Sequence, residues 1–177
     1  GVSARSRAAA TLGLVILVAL SYAGAYGFPR VFDDEAVVGA RLEALTPRRW
    51  LSSATFALTT ALAGDGGVAL MRMENVMLHA AVAVALFFFC RELLGAQDPR
   101  RRLAALAGAG VFALHPVTVY GVAYLAQRSI VMATLFSVLA LHAWLLGLRT
   151  GRSRWLAAAL ACYALAMLSK EHAIMLP

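Results

Sequence analysis

Apolar residues in this chain come in long unbroken runs, not in the alternation of a half-buried strand or the narrow stripe of a soluble helix. Residues 8–28 carry no charged side chain. That is about the 20 residues a helix needs to cross roughly 30 Å of hydrocarbon at 1.5 Å per residue. Four further apolar blocks follow at 68–90, 103–118, 129–148 and 155–169, separated by short polar breaks. The pattern predicts an all-α, polytopic membrane protein with about five transmembrane helices. The first run exceeds the apolar core of a signal peptide, and no small-residue cleavage site with a soluble domain follows it, so it reads as a retained span.

The first connection, 29–67, is long and not simply polar. Within it, Trp50, Ala54, Leu58, Ala61 and Leu62 fall on one helical face and Ser52, Thr55 and Thr59 on another. A helix over 50–63 is too short to span, so an amphipathic helix lying at the membrane surface is expected, closed by Gly64-Asp65-Gly66-Gly67.

Composition agrees with the run pattern: 62% of residues are hydrophobic, 14% are charged, and mean hydropathy is +0.76, far from a soluble domain in which about a quarter are charged. The net charge of +7 is not spread evenly. Arg5, Arg7, Arg91, Arg100, Arg101, Arg102, Arg149, Arg152 and Arg154 lie at alternate ends of the apolar runs, offset there only by Glu92 and Asp98, so the whole excess falls on one side. The positive-inside rule makes that side, and the amino terminus with it, cytoplasmic. A basic pI thus reports membrane orientation, and nucleic-acid binding is not expected.

With sides assigned, the connections after the first, third and fifth runs face outward, and the unusual polar groups collect there. They are Asp33, Asp34 and Glu35; His115, Tyr120, Tyr124 and Arg128; and Lys170, Glu171 and His172. An ionisable side chain at membrane depth costs about 2.5–3.5 kcal/mol on insertion scales and therefore faces a cavity or a partner. Crowded carboxylates at a low-dielectric boundary have altered proton affinity, so the Asp33-Asp34 pair suits a general base or a ligand of a divalent metal ion. A solvated acidic loop is the plain alternative. Arg128 and Lys170 suit a phosphate anion arriving from the lipid, with an internal Lys170-Glu171 ion pair as the plain alternative.

Phe32-Asp33-Asp34, Leu78-His79-Ala80, His115-Pro116-Val117, Val122-Ala123-Tyr124, Gln127-Arg128 and Leu168-Ser169-Lys170-Glu171-His172-Ala173, in that order and spacing, resemble polytopic GT-C-fold glycosyltransferases. The likeness is greatest to the transmembrane and tetratricopeptide-repeat O-mannosyltransferases and their bacterial, pilin-glycosylation-like relatives. The resemblance implies transfer of a sugar from a polyprenyl-phosphate donor to a protein or glycan hydroxyl at the outer face of a membrane, in a bacterium the inner (plasma) membrane. It implies Asp33 and Asp34 as catalytic, with a metal ion possible beside them. Arg128 and Lys170 would hold the lipid phosphate, with His115, Tyr124, Glu171 and His172 shaping the substrate cavity. Such enzymes have about twice as many spans, so 1–177 reads as a single membrane domain forming the amino-terminal part of a larger one. A non-catalytic truncated homologue serving as an accessory subunit of a membrane complex is the alternative.

The remaining signals are structural. Cys90 and Cys162 sit in apolar helix interiors and read as reduced thiols. His79 and His142 are expected to make interhelical hydrogen bonds, and the small residues Ala104, Gly108 and 157–161 to pack helices closely.

Overall fold

The computed structural model describes residues 4–38, 49–95 and 98–176, without the side chains of Ala36, Asp65 and Gly66. Every regular element in it is a helix. The order is α1 (Ala4–Ser21), continued by a 3₁₀ turn over Ala23–Gly27, then α2 (Asp34–Val38), α3 (Trp50–Ala63) and α4 (Val68–Leu94). These are followed by α5 (Pro99–Leu114), α6 (Thr118–Ala123), α7 (Arg128–Thr150) and α8 (Ser153–Ser169). Further 3₁₀ turns occupy Gly64–Gly67, Leu125–Gln127 and Glu171–Met175. Of the connection expected over 29–67, the part from 39 to 48 lies outside the described residues.

Among the described residues, three helical stretches are long and apolar enough to cross a membrane: Ala4–Gly27, Val68–Leu94 and Leu125–Thr150. They account for three of the about five spans expected. The 16 residues of α5 and 17 of α8 reach only about 24–26 Å at 1.5 Å per residue, short of roughly 30 Å of hydrocarbon. The third apolar run also ends at Leu114 rather than at 118. His115 precedes a proline, which disfavours the helical region for it, and it is extended at ψ 129°.

The turns follow from local chemistry. Asp98 caps α5 by accepting from the Arg100 N–H at 2.8 Å, with Pro99 in the first turn. At the far ends of α4 and α7 the chain reverses through Gly95 (φ 66°) and Gly151 (φ 65°), a left-handed conformation that a side chain resists.

The bundle is organised around α4, which meets α1, α5 and α7, while α7 and α8 form an antiparallel hairpin. Buried Leu14, Phe87, Ala105 and Ala109 join α1, α4 and α5. Val18, Tyr22, Ala83, Ala113, Val122 and Val131 carry the core up to the end where α6 lies. His79 bonds the Ala113 carbonyl at 3.1 Å, an interhelical bond as its position suggested. The small-residue seam of α5 is Ala105, Ala109 and Ala113, one register away from Ala104 and Gly108, which face outward. Leu12, Leu20, Leu103, Val111, Leu148 and Leu160 also point out, the arrangement a lipid solvent requires.

In α3 the apolar stripe points outward, with Trp50, Leu58 and Leu62 exposed, while Ser52, Phe56, Ala57 and Thr59 face the bundle. Its hydroxyls meet charged side chains of α4 and α7 there, as described below.

Register in α5 is open to test. Ala109→Leu places three extra heavy atoms in a closed seam and should lower stability by about 1–3 kcal/mol. Gly108→Leu meets open space, with nothing within 4 Å of its Cβ, and should not. Thermal midpoints of the two variants in detergent decide between them.

Candidate functional site

Val31 to Asp34 form a tight turn closed twice by one residue. The Asp34 N–H donates to the Val31 carbonyl at 3.1 Å, and Asp34 Oδ2 accepts from the Val31 N–H at 3.1 Å. Asp34 Oδ1 accepts from the Ala126 N–H at 3.2 Å, tying the turn to the 3₁₀ segment before α7. Asp34 is fully buried, and its charge lies within electrostatic reach of Arg72. Arg72, also buried, donates to the carbonyls of Ala25 at 2.7 Å and Pro29 at 2.9 Å, a cation on backbone carbonyls where the first span ends. The acidic pair is therefore divided. Asp34 builds the turn, and Phe32 and Asp33, its two central residues, are presented outward.

Asp33 has Tyr124 as its neighbour. The Tyr124 hydroxyl accepts from the Asp33 N–H at 3.2 Å and donates to Asp33 Oδ2 at 3.1 Å. Burial raises the Tyr124 phenol pKa; the Asp33 N–H bond opposes this, and the bond to the Asp33 carboxylate and its charge add to the rise, keeping the phenol a donor. The ring of Tyr124 lies 5.6 Å from that of Tyr120, whose hydroxyl accepts from Gln127 Nε2 at 2.9 Å. Gln127 Oε1 in turn accepts from Lys170 Nζ at 3.1 Å. A carboxylate, two phenols, an amide and an ammonium thus form a continuous row across three chain segments. Burial, and then the nearby Arg49, lower the Lys170 pKa, with Glu171 opposing. Glu171 itself is held bidentately by Arg49, at 2.9 and 3.2 Å, which brings its carboxyl down to about 2.

Arg128 lies inside the bundle, where the sequence suggested a cavity wall facing substrate. It is 1% exposed and each guanidinium nitrogen has protein acceptors. Nε donates to Asn75 Oδ1 at 2.7 Å, Nη1 to Thr55 Oγ1 at 3.0 Å, and Nη2 to the Met71 carbonyl at 2.8 Å and Glu74 at 2.9 Å. The Phe56 ring lies 3.9 Å beneath it. Thr59 donates to Glu74 at 2.8 Å, and Asn75 Nδ2 to the Val122 carbonyl at 3.2 Å. The hydroxyl face of α3 thus turns inward because it supplies partners to an ion pair that lipid would leave bare.

His115 is exposed, and its Nδ1 accepts from the Val117 N–H at 3.3 Å, a bond local to the turn before α6. His172 is exposed on the last 3₁₀ turn. Among the described residues no group of three His, Cys, Asp or Glu side chains gathers to hold a metal. Both Asp34 oxygens accept backbone N–H groups, which leaves Asp33 as the accessible carboxylate of the pair.

Sequence reasoning missed Arg72, Glu74 and Asn75. The rule that flagged Arg128, a polar side chain set in an apolar run, applies equally to them and to His79 on the same helix. Arg49 carried no such signal, since it lies in a polar stretch and meets Glu171 across 122 residues.

Two expectations follow from these contacts. Arg128→Ala should cost about 3–5 kcal/mol by stranding the partners of a buried charge, and Arg128→Lys should recover little, since an ammonium cannot span the same fork. Lys170→Ala should cost far less, and thermal unfolding compares the three. The Glu171 carboxyl is depressed in the fold, so its contribution is present above its ordinary value of 4.5 and fades as pH falls towards about 2. Both partners are exposed, so the gain is small and salt-sensitive. The thermal midpoint of wild type should exceed that of Glu171→Gln at pH 6, and the gap should close across that window.

The family model of dolichyl-phosphate-mannose-protein mannosyltransferases matches residues 48–177, well over half of the chain. No curated protein and no solved structure matches it. The matched part takes in Tyr120, Tyr124, Gln127, Arg128, Lys170 and Glu171, and leaves Asp33 and Asp34 before it. A helical bundle with spans of membrane length and this family match make the chain an integral membrane protein that belongs to the dolichyl-phosphate-mannose-protein mannosyltransferase family.

Proposed function

We propose that this protein transfers a mannose-like sugar from a polyprenyl-phosphate donor to a hydroxyl of a protein acceptor, at the outer face of a plasma membrane. The observation that carries the reading is the row from Asp33 to Lys170: an accessible carboxylate and a half-buried ammonium, joined through Tyr124, Tyr120 and Gln127 at one end of the bundle. The family's description supplies the kinds of donor and acceptor. The opposite end supports the orientation. Arg149 there pairs with Glu92 at 2.8 Å and Arg101 donates to the Leu94 carbonyl at 3.1 Å, among the basic residues that the positive-inside rule keeps in the cytoplasm.

Asp33 serves as the general base. It removes the proton of the acceptor hydroxyl as the oxygen forms its bond to the anomeric carbon, and the bond from that carbon to the phosphate oxygen breaks. Negative charge then grows on the departing lipid phosphate. Lys170, fixed by Gln127, offers a positioned ammonium for that charge, inside an interface where little water screens it. Tyr124 holds the Asp33 carboxylate through Oδ2 and leaves Oδ1 for the acceptor. Arg128 holds α3, α4 and the start of α7 together, and acts on the reaction only through the segment it anchors. The lipid chain of the donor stays in the bilayer while its sugar reaches the row, which suits a site at the end of the spans and not at their middle.

The two carboxylates should part in experiment. Asp33→Asn should lower transfer by about 10²–10⁴-fold with an unchanged thermal midpoint. Asp34→Asn trades an acceptor for an amide facing a backbone N–H and should lower the midpoint, by about 1–3 kcal/mol in stability. Transfer measured with a polyprenyl-phosphate mannose donor that survives Asp33→Asn would overturn the assignment.

A further inference from the structure

Phe32 is held in a conformation that costs twice. Its φ is +49°, in the left-handed region that residues with a β-carbon avoid, and its side chain is 89% exposed. The first cost sits inside a turn that Asp34 closes with two hydrogen bonds to Val31. A large apolar ring could be explained by lipid, but this ring sits among charges. Arg30 and Glu35 form an ion pair at 3.0 Å across the same turn, and Asp33 is the next residue. Hydrocarbon does not hold such a segment. A strained, exposed aromatic beside an accessible carboxylate points to a ligand that repays both costs.

The neighbouring rings define that ligand. Phe32 meets Tyr124 at 6.1 Å between centroids and 69° between planes, and Tyr124 meets Tyr120 at 5.6 Å and 55°. The first contact is edge-to-face and the second tilted, and both Phe32 and Tyr120 are exposed, so aromatic surface of these two rings stays open. Open aromatic faces next to a carboxylate suit a molecule with an apolar C–H face and a rim of hydroxyls, which is the description of a pyranose. We propose that Phe32, with Tyr120 and Tyr124 beside it, is a stacking platform for a pyranose ring, and that the ring's hydroxyls reach Asp33 Oδ1. The inference rests on the glycosyl-transfer reading and adds to it the residue that positions the sugar. Phe32 is a specificity residue, and its backbone strain is sustained by the buried Asp34.

Methyl α-D-mannopyranoside is the probe, with saturation-transfer NMR on the full chain in a sugar-free detergent. Wild type and Phe32→Trp should both transfer saturation to the ring protons of the sugar. Phe32→Leu, which keeps apolar bulk and the β-carbon, should bind roughly tenfold more weakly. Phe32→Gly should lose the signal while its thermal midpoint stays level or rises, because glycine adopts the required φ freely. That combination separates a ligand platform from a structural contact, whose loss would lower the midpoint. Equal signals from wild type and Phe32→Leu would overturn the platform, as would a lower midpoint for Phe32→Gly. The readout needs no turnover, so transfer that survives Asp33→Asn sinks only the catalytic reading, and an unchanged Phe32→Leu signal sinks only the platform.

Discussion

A guanidinium buried at membrane depth needs partners from the protein, and the arrangement of this bundle follows from how Arg128 finds them. Three helices contribute. Thr55 and Phe56 come from α3, Met71, Glu74 and Asn75 from α4, and Arg128 begins α7. The Thr55 and Phe56 contacts require α3 to turn that face inward, so an element that looks like a surface amphipath is packed with its polar face against protein. Water would pair a stray hydroxyl or charge at little cost, and lipid does not. The result is a floor under residues 118–127, tied to them by Asn75 at the Val122 carbonyl, and this segment carries Tyr120, Tyr124 and Gln127.

Adjacent carboxylates above that floor have opposite fates. Asp34 faces inward, accepts two backbone N–H groups and fixes a turn, and Asp33, one residue earlier, is left for solvent and Tyr124. The division is geometric. In a closed four-residue turn the last side chain folds back over the backbone while the middle two project away. A buried acid thereby holds an exposed one in place, in the same turn that carries the unusual backbone of Phe32. A left-handed backbone at Phe32 thus sits directly beside the accessible carboxylate of Asp33.

How far the site could be read in advance differs residue by residue. Asp33, Tyr124, Lys170 and Glu171 stood out because polar groups in or beside long apolar runs are few, and the structure brings them to one end of the bundle. Arg128 stood out for the same reason, yet its direction was not legible. A cation that binds substrate and one that braces helices break an apolar run identically, and only the positions of Asn75, Glu74 and Thr55 distinguish them. Glu171 looked like a partner for its neighbour Lys170 and is held by Arg49, which sequence separation hides. The packing seam of α5 was misplaced by one residue because alanines and glycines alternate there without a periodic cue, and burial chose Ala105, Ala109 and Ala113.

What the sequence determined by itself is the solvent and the element type. Long uncharged runs can only be helices in a membrane, because every backbone polar group must be satisfied within its own segment. It also determined which few residues were costly enough to matter. The tertiary structure alone decided which of them look inward, since that depends on contacts between residues distant in sequence. Arg128 with Asn75, Asp34 with Ala126, Tyr124 with Asp33 and Lys170 with Gln127 are pairings between separate chain segments. Hydropathy measures the cost of placing a polar group in lipid and is silent about which partner removes that cost.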